Sequence, residues 1–331
     1  HRRKEKHMKI AVIDDYQSAF PTLKCYAKLK GHAVIVFSDT EKDPVKLTER
    51  LKDVDAVVLT QQRSSFPRSV IEQLPKLKLV SQTGRATVHI DIAACTDHGV
   101  IVSAAGAGNP HATAELTWGL ILAALRNLPY EVTRLKEGHW QSTLGTTVQQ
   151  KKFGVYAYGK IGSIVAEVAR AFSAQVICWG RAGSTARAKA AGFDIAKSRA
   201  ESFAESDIVS LHLPLNKETQ GIVTRDDLAR MKPTALIVNT SRARLIAEGA
   251  LAEALSAGRP GMAAVDVFEQ EPVIGTDHAL LKMANVIATP HLGYVTRESY
   301  ETFYDAVVDN LLAYASGKPI NVVNPEAVGK K

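Results

Sequence analysis

Short apolar runs rich in β-branched residues alternate with amphipathic stretches along almost the whole chain, and few folds accommodate that rhythm. KIAVIDD, AVIVFS, DAVVLT, LKLVSQ and VIVSAA follow one another before about residue 105, separated by stretches such as VKLTERLK and SVIEQL. Continuous apolar runs mark strands buried on both faces, and parallel neighbours need helical crossovers. These five runs predict one doubly wound α/β domain. A long helical stretch, HATAELTWGLILAALRNLPYEVTRLKEG, opens at Asn109-Pro110 and decays at Gly138. The rhythm then resumes in six runs: KFGVYAY, QVICWG, DIVSLHLP, ALIVNT, MAAVDVF and NVIATP. An amphipathic helix over Thr296–Ser316 and an extended tail, INVVNPEAV, follow. The expectation is an α/β chain of two doubly wound parallel-sheet domains, Rossmann/flavodoxin-like, with a cleft between them. The domains are 8–104 plus 295–331, where the terminal helix packs back, and 105–294.

The 331 residues suit two domains at roughly 100–200 residues each, and 46% hydrophobic with 23% charged residues is ordinary globular composition. No apolar run reaches the roughly 20 residues of a membrane helix, so no membrane partner is expected. Met8 reads as the natural start and His1–His7 as an added leader, which carries three of the seven net positive charges. Without it, no stripe of Lys and Arg with interleaved aromatics remains to suggest nucleic acid. Cys25, Cys95 and Cys178 lie far apart with no metal-ligand spacing, which predicts reduced core thiols in a cytoplasmic protein and no metal.

The stretch FGVYAYGKIG carries the first chemistry. It has the strand–turn–helix context of a dinucleotide-binding Gly-x-Gly-x-x-Gly, but the three positions read Ala157, Gly159 and Gly162. Gly159 lets a phosphate approach the backbone and Gly162 allows close helix–strand packing. Ala157 is tolerable at the bend if its φ is negative and costly if positive. A pyrophosphate would rest on the amides of Lys160 and Ile161. At the end of the next strand an acidic residue would select NAD through the adenosine ribose. Gly180 stands there, followed by Arg181, which favours NADP over NAD unless the guanidinium only stacks beside adenine and selects neither.

Three further strand ends carry reactive side chains. IVNTSRARL places Arg242, AAVDVFEQEP places Asp266 and Glu271, and NVIATPHLGY places His291. Ligands bind at the carboxyl edge of open α/β sheets, so these residues converge on one crevice.

Together GVYAYGKIG, SLHLPLNKETQGI, VNTSRARL, DVFEQEP and TPHLG resemble the D-isomer-specific 2-hydroxyacid dehydrogenase family over nearly the whole chain. The resemblance implies hydride transfer between a nicotinamide and C2 of a small 2-hydroxy or 2-oxo acid. Arg242 grips the carboxylate and polarises the carbonyl, His291 is general acid and base, and Glu271 supports His291. It implies that His212, Pro214, Thr240, Ser241, Asp266 and Gly293 line the cofactor, with Asp266 beside the nicotinamide carboxamide or else serving as a local cap or ion-pair partner. From the first domain it implies a carboxylate loop at Gly84, Arg85 and Ala86, where family members usually have Gly-x-Gly.

The formate dehydrogenase branch is similar in carrying alanine at the first fingerprint position, but it pairs its histidine with glutamine. Glu271 therefore argues for hydroxyacid chemistry. A homodimer built on the helix around Leu116–Arg126 is implied, with Trp140 reaching the neighbour. The alternative is a dinucleotide-sensing, corepressor-like protein without turnover.

Overall fold

A computed structural model of the chain describes residues 6–330, so most of the basic leader lies outside the described residues. The chain divides into two units: one runs to Gly108 and resumes at Thr296, and the other is Asn109–Val295.

The first unit holds a five-stranded parallel sheet of β1 (Lys9–Ile13), β2 (Ala33–Val36), β3 (Ala56–Leu59), β4 (Leu79–Thr83) and β5 (Ile101–Ala105), in the order β2-β1-β3-β4-β5. That is the flavodoxin-like winding. Every residue of β3 and β4 is buried, as strands covered on both faces require. Helix Pro44–Leu51 starts where it does because the Asp43 carboxylate accepts the amides of Val45 and Lys46 and Pro44 needs no donor there. It buries Leu47 and Leu51, one turn apart. The terminal helix Arg297–Ala315 joins this unit: the Tyr304 hydroxyl lies 2.8 Å from the Thr60 hydroxyl, and buried Asn310 donates to Ser81. The tail continues along β5, with the Val323 amide donating to the Val102 carbonyl, and then turns into a short 3-10 helix at Pro325–Ala327.

The second unit holds β6 (Lys152–Tyr156), β7 (Gln175–Trp179), β8 (Asp194–Ile195), β9 (Ile208–Leu211), β10 (Leu236–Asn239), β11 (Met262–Val265) and β12 (Val286–Ala288). Their order is β12-β11-β10-β9-β6-β7-β8, all parallel. Seven strands stand where six runs were expected. The extra one, β8, is a two-residue edge strand too short to show any period. Hydrogen-bonded neighbours β6 and β9 mark the point where the winding reverses, as in a dinucleotide-binding sheet.

The long helical stretch is two helices, Pro110–Leu125 and Leu128–Lys136. Asn127 between them is left-handed (φ 50°). Pro129 explains the break, because it lacks a donor and its ring clashes with the carbonyl four residues back. The first helix spends its surface inside its own unit, burying Trp118, Leu120, Ile121, Ala124 and Leu125. Exposed apolar side chains lie instead on the second helix and beyond it: Leu128, Tyr130, Val132, Leu135, Trp140 and Leu144. The three cysteines are buried and free, and burial pushes their thiols up to about 11 for Cys25 and about 12 for Cys95 and Cys178. They are inert core groups. Among the described residues no helix is long and apolar enough to cross a membrane.

Candidate active site

The carboxyl edge of the second sheet gathers most of the expected site residues. β6 ends at Tyr156, whose carbonyl still accepts the His212 amide beyond β9 (2.9 Å). Ala157 then turns left-handed, φ 77°, with its amide donating to the Trp179 carbonyl (2.8 Å). The methyl therefore sits at the costly sign of φ, at about 1–2 kcal/mol for a residue with a Cβ. The bend aims the Ala157 carbonyl at the following helix, Lys160–Ala171: a Cβ on Gly162 would lie 2.2 Å from that oxygen. Gly162 is thus required by contact and Ala157 is tolerated under strain.

Gly159 caps the helix with no side-chain hydrogen bond, and a Cβ there would meet nothing within 4 Å. The amides of Lys160 and Ile161 form the first turn at the positive end of the helix dipole. The open space over Gly159 and these uncapped donors fit a pyrophosphate. One strand away, Gly180 directly follows β7 with no room for a side chain, since a Cβ would meet the Ser184 Oγ at 2.9 Å. Arg181 is 70% exposed and pairs with Glu218.

His212 lies beside the turn. Its Nε2 is 2.8 Å from the Ser210 hydroxyl, while its Nδ1 is shielded without a hydrogen-bond partner. Burial pushes the imidazole down to about 4. The Pro214 carbonyl accepts the Thr219 hydroxyl. After β10, the Thr240 hydroxyl lies 2.8 Å from that of buried Thr117, and Ser241 donates to the Leu211 carbonyl. The Asn239 side chain accepts the Ser241 amide and donates to the Arg242 carbonyl, which fixes the loop and leaves Arg242 exposed at its end.

After β11 and β12 the geometry is tighter. The Glu271 Oε2 accepts from His291 Nδ1 at 2.7 Å, and its Oε1 accepts the Phe268 amide at 2.9 Å. Both side chains are 14% exposed. His291 is itself left-handed, φ 53°, and the Tyr294 ring stands edge-on to it at 5.4 Å.

Asp266, with no exposed surface, holds this turn. Its Oδ1 accepts the Thr289 hydroxyl (2.6 Å) and the Leu292 amide (2.7 Å), and its Oδ2 accepts the Gly293 amide (2.9 Å). Burial pushes its carboxyl up against these three bonds. These three bonds make Asp266 a local cap of the turn, one of the roles expected for it.

In the first unit, Gly84 is left-handed (φ 81°) directly after β4, and its amide donates to the Ala105 carbonyl. Arg85 and Ala86 are exposed, and Ala86 is not among the residues of positive φ. The second Gly-to-Ala change is therefore free of the strain that the first one bears.

Ser184, Glu218 and Thr289 join the site by distant pairings, and Tyr294 by its ring contact with nearby His291. Ser184 belongs to no motif, and Glu218 lies within SLHLPLNKETQGI, but nothing in the spacing of either marks the residue it pairs with.

Residues 118–293, just over half the chain, match the family D-isomer specific 2-hydroxyacid dehydrogenase, NAD binding domain. The chain is 36% identical over 310 residues to the glyoxylate reductase of Aeropyrum pernix, covering 90% of this chain and 92% of that protein. It is 37% identical over 282 residues to the D-3-phosphoglycerate dehydrogenase of Methanocaldococcus jannaschii. There 84% of this chain matches, but it spans only 53%, about half, of that relative's length. The crystal structure of a phosphoglycerate oxidoreductase from Vibrio cholerae superposes with a TM-score of 0.90 at 43% identity, over 94% of this chain and 99% of that one.

Proposed function

The chain belongs to the D-isomer specific 2-hydroxyacid dehydrogenases, a family of NAD-binding oxidoreductases that act on the CH–OH group of 2-hydroxy acids. From that premise we propose that it reduces a small 2-oxo acid to the D-2-hydroxy acid with NADPH or NADH. The observation that carries the reading is the His291–Glu271 pair at 2.7 Å, shielded at the same sheet edge that presents Arg242 and the nucleotide turn.

When bound, the dinucleotide supplies hydride from its nicotinamide. Arg242 holds the substrate carboxylate with its planar fork and polarises the adjacent carbonyl. Glu271 takes the Nδ1 proton of His291 as its hydrogen bond, which leaves Nε2 to deliver a proton to the carbonyl oxygen in reduction and to receive it in oxidation. In the first unit, Arg85 and Ala86 are the proposed backbone donors to a substrate carboxylate, because the Gly84 amide is already taken by the Ala105 carbonyl. Gly180 and exposed Arg181 favour NADPH, whose 2′-phosphate would compete with Glu218 for the guanidinium. The apolar side chains exposed from Leu128 to Leu144 support a second copy of the chain as the partner, with Trp140 (78% exposed) among its contacts.

The test follows loss of reduced dinucleotide absorbance with glyoxylate, hydroxypyruvate, pyruvate and phenylpyruvate, and the reverse reaction with D-3-phosphoglycerate. Turnover that disappears in His291→Ala while dinucleotide binding persists is the expected result. Parallel loss of binding and turnover in that variant would refute the role given to His291.

A further inference from the structure

The strained bend at Ala157 is held from outside its own loop. The Ser184 Oγ accepts the Tyr158 amide at 2.7 Å, and the Arg187 Nη2 donates to the Tyr158 carbonyl at 3.2 Å. Both polar groups of the residue after the bend are thus fastened by one helix, Ala182–Ala190. A glycine at 157 would adopt φ 77° unaided, whereas alanine prefers to leave that region. The Tyr158 amide is the first group that would move if Ala157 relaxed.

The same hydroxyl fills the space a side chain at 180 would need: Ser184 Oγ and Cβ lie 2.9 and 3.2 Å from a Cβ built there. The Ala157 Cα lies 3.4 Å from the same point. Ala157, Gly180 and Ser184 therefore form one interlocked corner, in which a hydroxyl does the work that a glycine's freedom would otherwise do.

We propose that Ser184 is a positioning residue for the dinucleotide: its hydroxyl keeps Ala157 left-handed and so keeps Gly159, Lys160 and Ile161 shaped for the pyrophosphate. This rests on the dinucleotide reading above. The role is separable from general stability because it depends on which residue stands at 157. With alanine there, loss of the hydroxyl lets the bend relax away from its binding shape. With glycine there, the bend keeps its shape without the hydroxyl.

The experiment titrates NADH and NADPH by fluorescence into the wild-type chain, Ser184→Ala, Ala157→Gly and the double variant, with thermal unfolding alongside. Ser184→Ala is expected to raise Kd for both dinucleotides about five-fold, the equivalent of one lost hydrogen bond, with kcat at saturating dinucleotide unchanged. In the Ala157→Gly background the same substitution is expected to change Kd less than two-fold, roughly the scatter of independent sites. An unchanged Kd in Ser184→Ala would overturn the inference, as would an equal loss in the two backgrounds or a fall in kcat alone. A wild-type chain that binds neither dinucleotide would overturn the dinucleotide reading itself, and this inference with it. Binding by the wild type with any of the three adverse results above would sink only the role of Ser184.

Discussion

Replacing Asp266 by asparagine tests whether the turn that carries His291 is built by this one carboxylate. The carboxylate accepts three hydrogen bonds, two on Oδ1 from Thr289 and Leu292 and one on Oδ2 from the Gly293 amide. Asparagine can keep its carbonyl oxygen where Oδ1 was, but its NH2 then faces the Gly293 N–H, donor against donor. One charge-assisted bond, about 1.5–3 kcal/mol, is lost. The other two fall to neutral strength, roughly half. The neutral amide recovers part of this, because burying the charge of a fully buried Asp266 is itself unfavourable. A net destabilisation of about 2 kcal/mol follows, or roughly 4–8 °C in Tm for a unit of this size.

The catalytic loss is expected to be larger than the stability loss. His291 occupies a left-handed conformation, φ 53°, that persists only while its surroundings impose it. Once Leu292 and Gly293 are loosened, the imidazole can drift from Glu271, and a displacement of about 1 Å can lower turnover about a hundred-fold. The assay compares kcat, dinucleotide Kd and Tm of Asp266→Asn with the wild type. Wild-type kcat with a lowered Tm would refute the argument, because Glu271 alone would then suffice to place the imidazole. A raised dinucleotide Kd with wild-type kcat would refute it differently, by returning Asp266 to the nicotinamide.

Three other perturbations follow from the same edge of the sheet and its surroundings. Gly162→Ala puts a methyl 2.2 Å from the Ala157 carbonyl; about 3 kcal/mol of overpacking outweighs about 1 kcal/mol of helix propensity, and urea melts and dinucleotide titration should both register the loss. Gly180→Asp alone collides with Ser184, so the informative variant is Gly180→Asp with Ser184→Ala, which should shift the NADH/NADPH preference about ten-fold toward NADH. An unchanged ratio would show that Arg181 does not read the 2′-phosphate.

The third perturbation is pH. Burial pushes His89 and His212 down to about 4 in the folded chain. The unfolded chain therefore binds more protons as pH falls below about 6.5. The stability they contribute is present above that value and is lost as pH falls toward the folded pKa, on the order of 3 kcal/mol for each. Urea midpoints measured across this window should flatten in His212→Asn, and an unaltered slope would show that the imidazole titrates normally.

The strands were legible because burial on both faces leaves little choice of residue: β3, β4, β9 and β10 are buried at every position. β8 was not, since two residues at a sheet edge carry no period. The break at Asn127 was written in Pro129 but masked by the apolar surface of the helix before it. Arg242, Asp266, Glu271 and His291 were legible as chemistry at strand ends, and the pairings that hold their turns were not. Thr289 and Asp266 meet 23 residues apart, and Tyr158 and Ser184 meet 26 apart. Neither spacing follows from any local pattern.

The sign of φ at Ala157 was the largest gap, and its neighbours in the fold explain why. A parallel strand that must leave the sheet sharply at its carboxyl end often does so through a left-handed residue. Asp14 follows β1 with φ 64°, Gln61 lies two residues after β3 with φ 51°, Gly84 follows β4 with φ 81°, and Gly106 follows β5 with φ 108°. Ala157 follows β6 with φ 77°. The backbone task is the same at each place, but only two of the five residues announce it by being glycine. Each of the others has help from side chains outside its own bend. The Thr40 hydroxyl donates to Asp14, the Thr83 hydroxyl accepts the Gln61 amide, and the Ser184 hydroxyl accepts the amide after Ala157. A hydroxyl from another strand, helix or loop offsets a conformational penalty of about 1–2 kcal/mol. A missing glycine in such a turn is therefore weak grounds for inferring lost function until the hydrogen-bond partners of the bend are known.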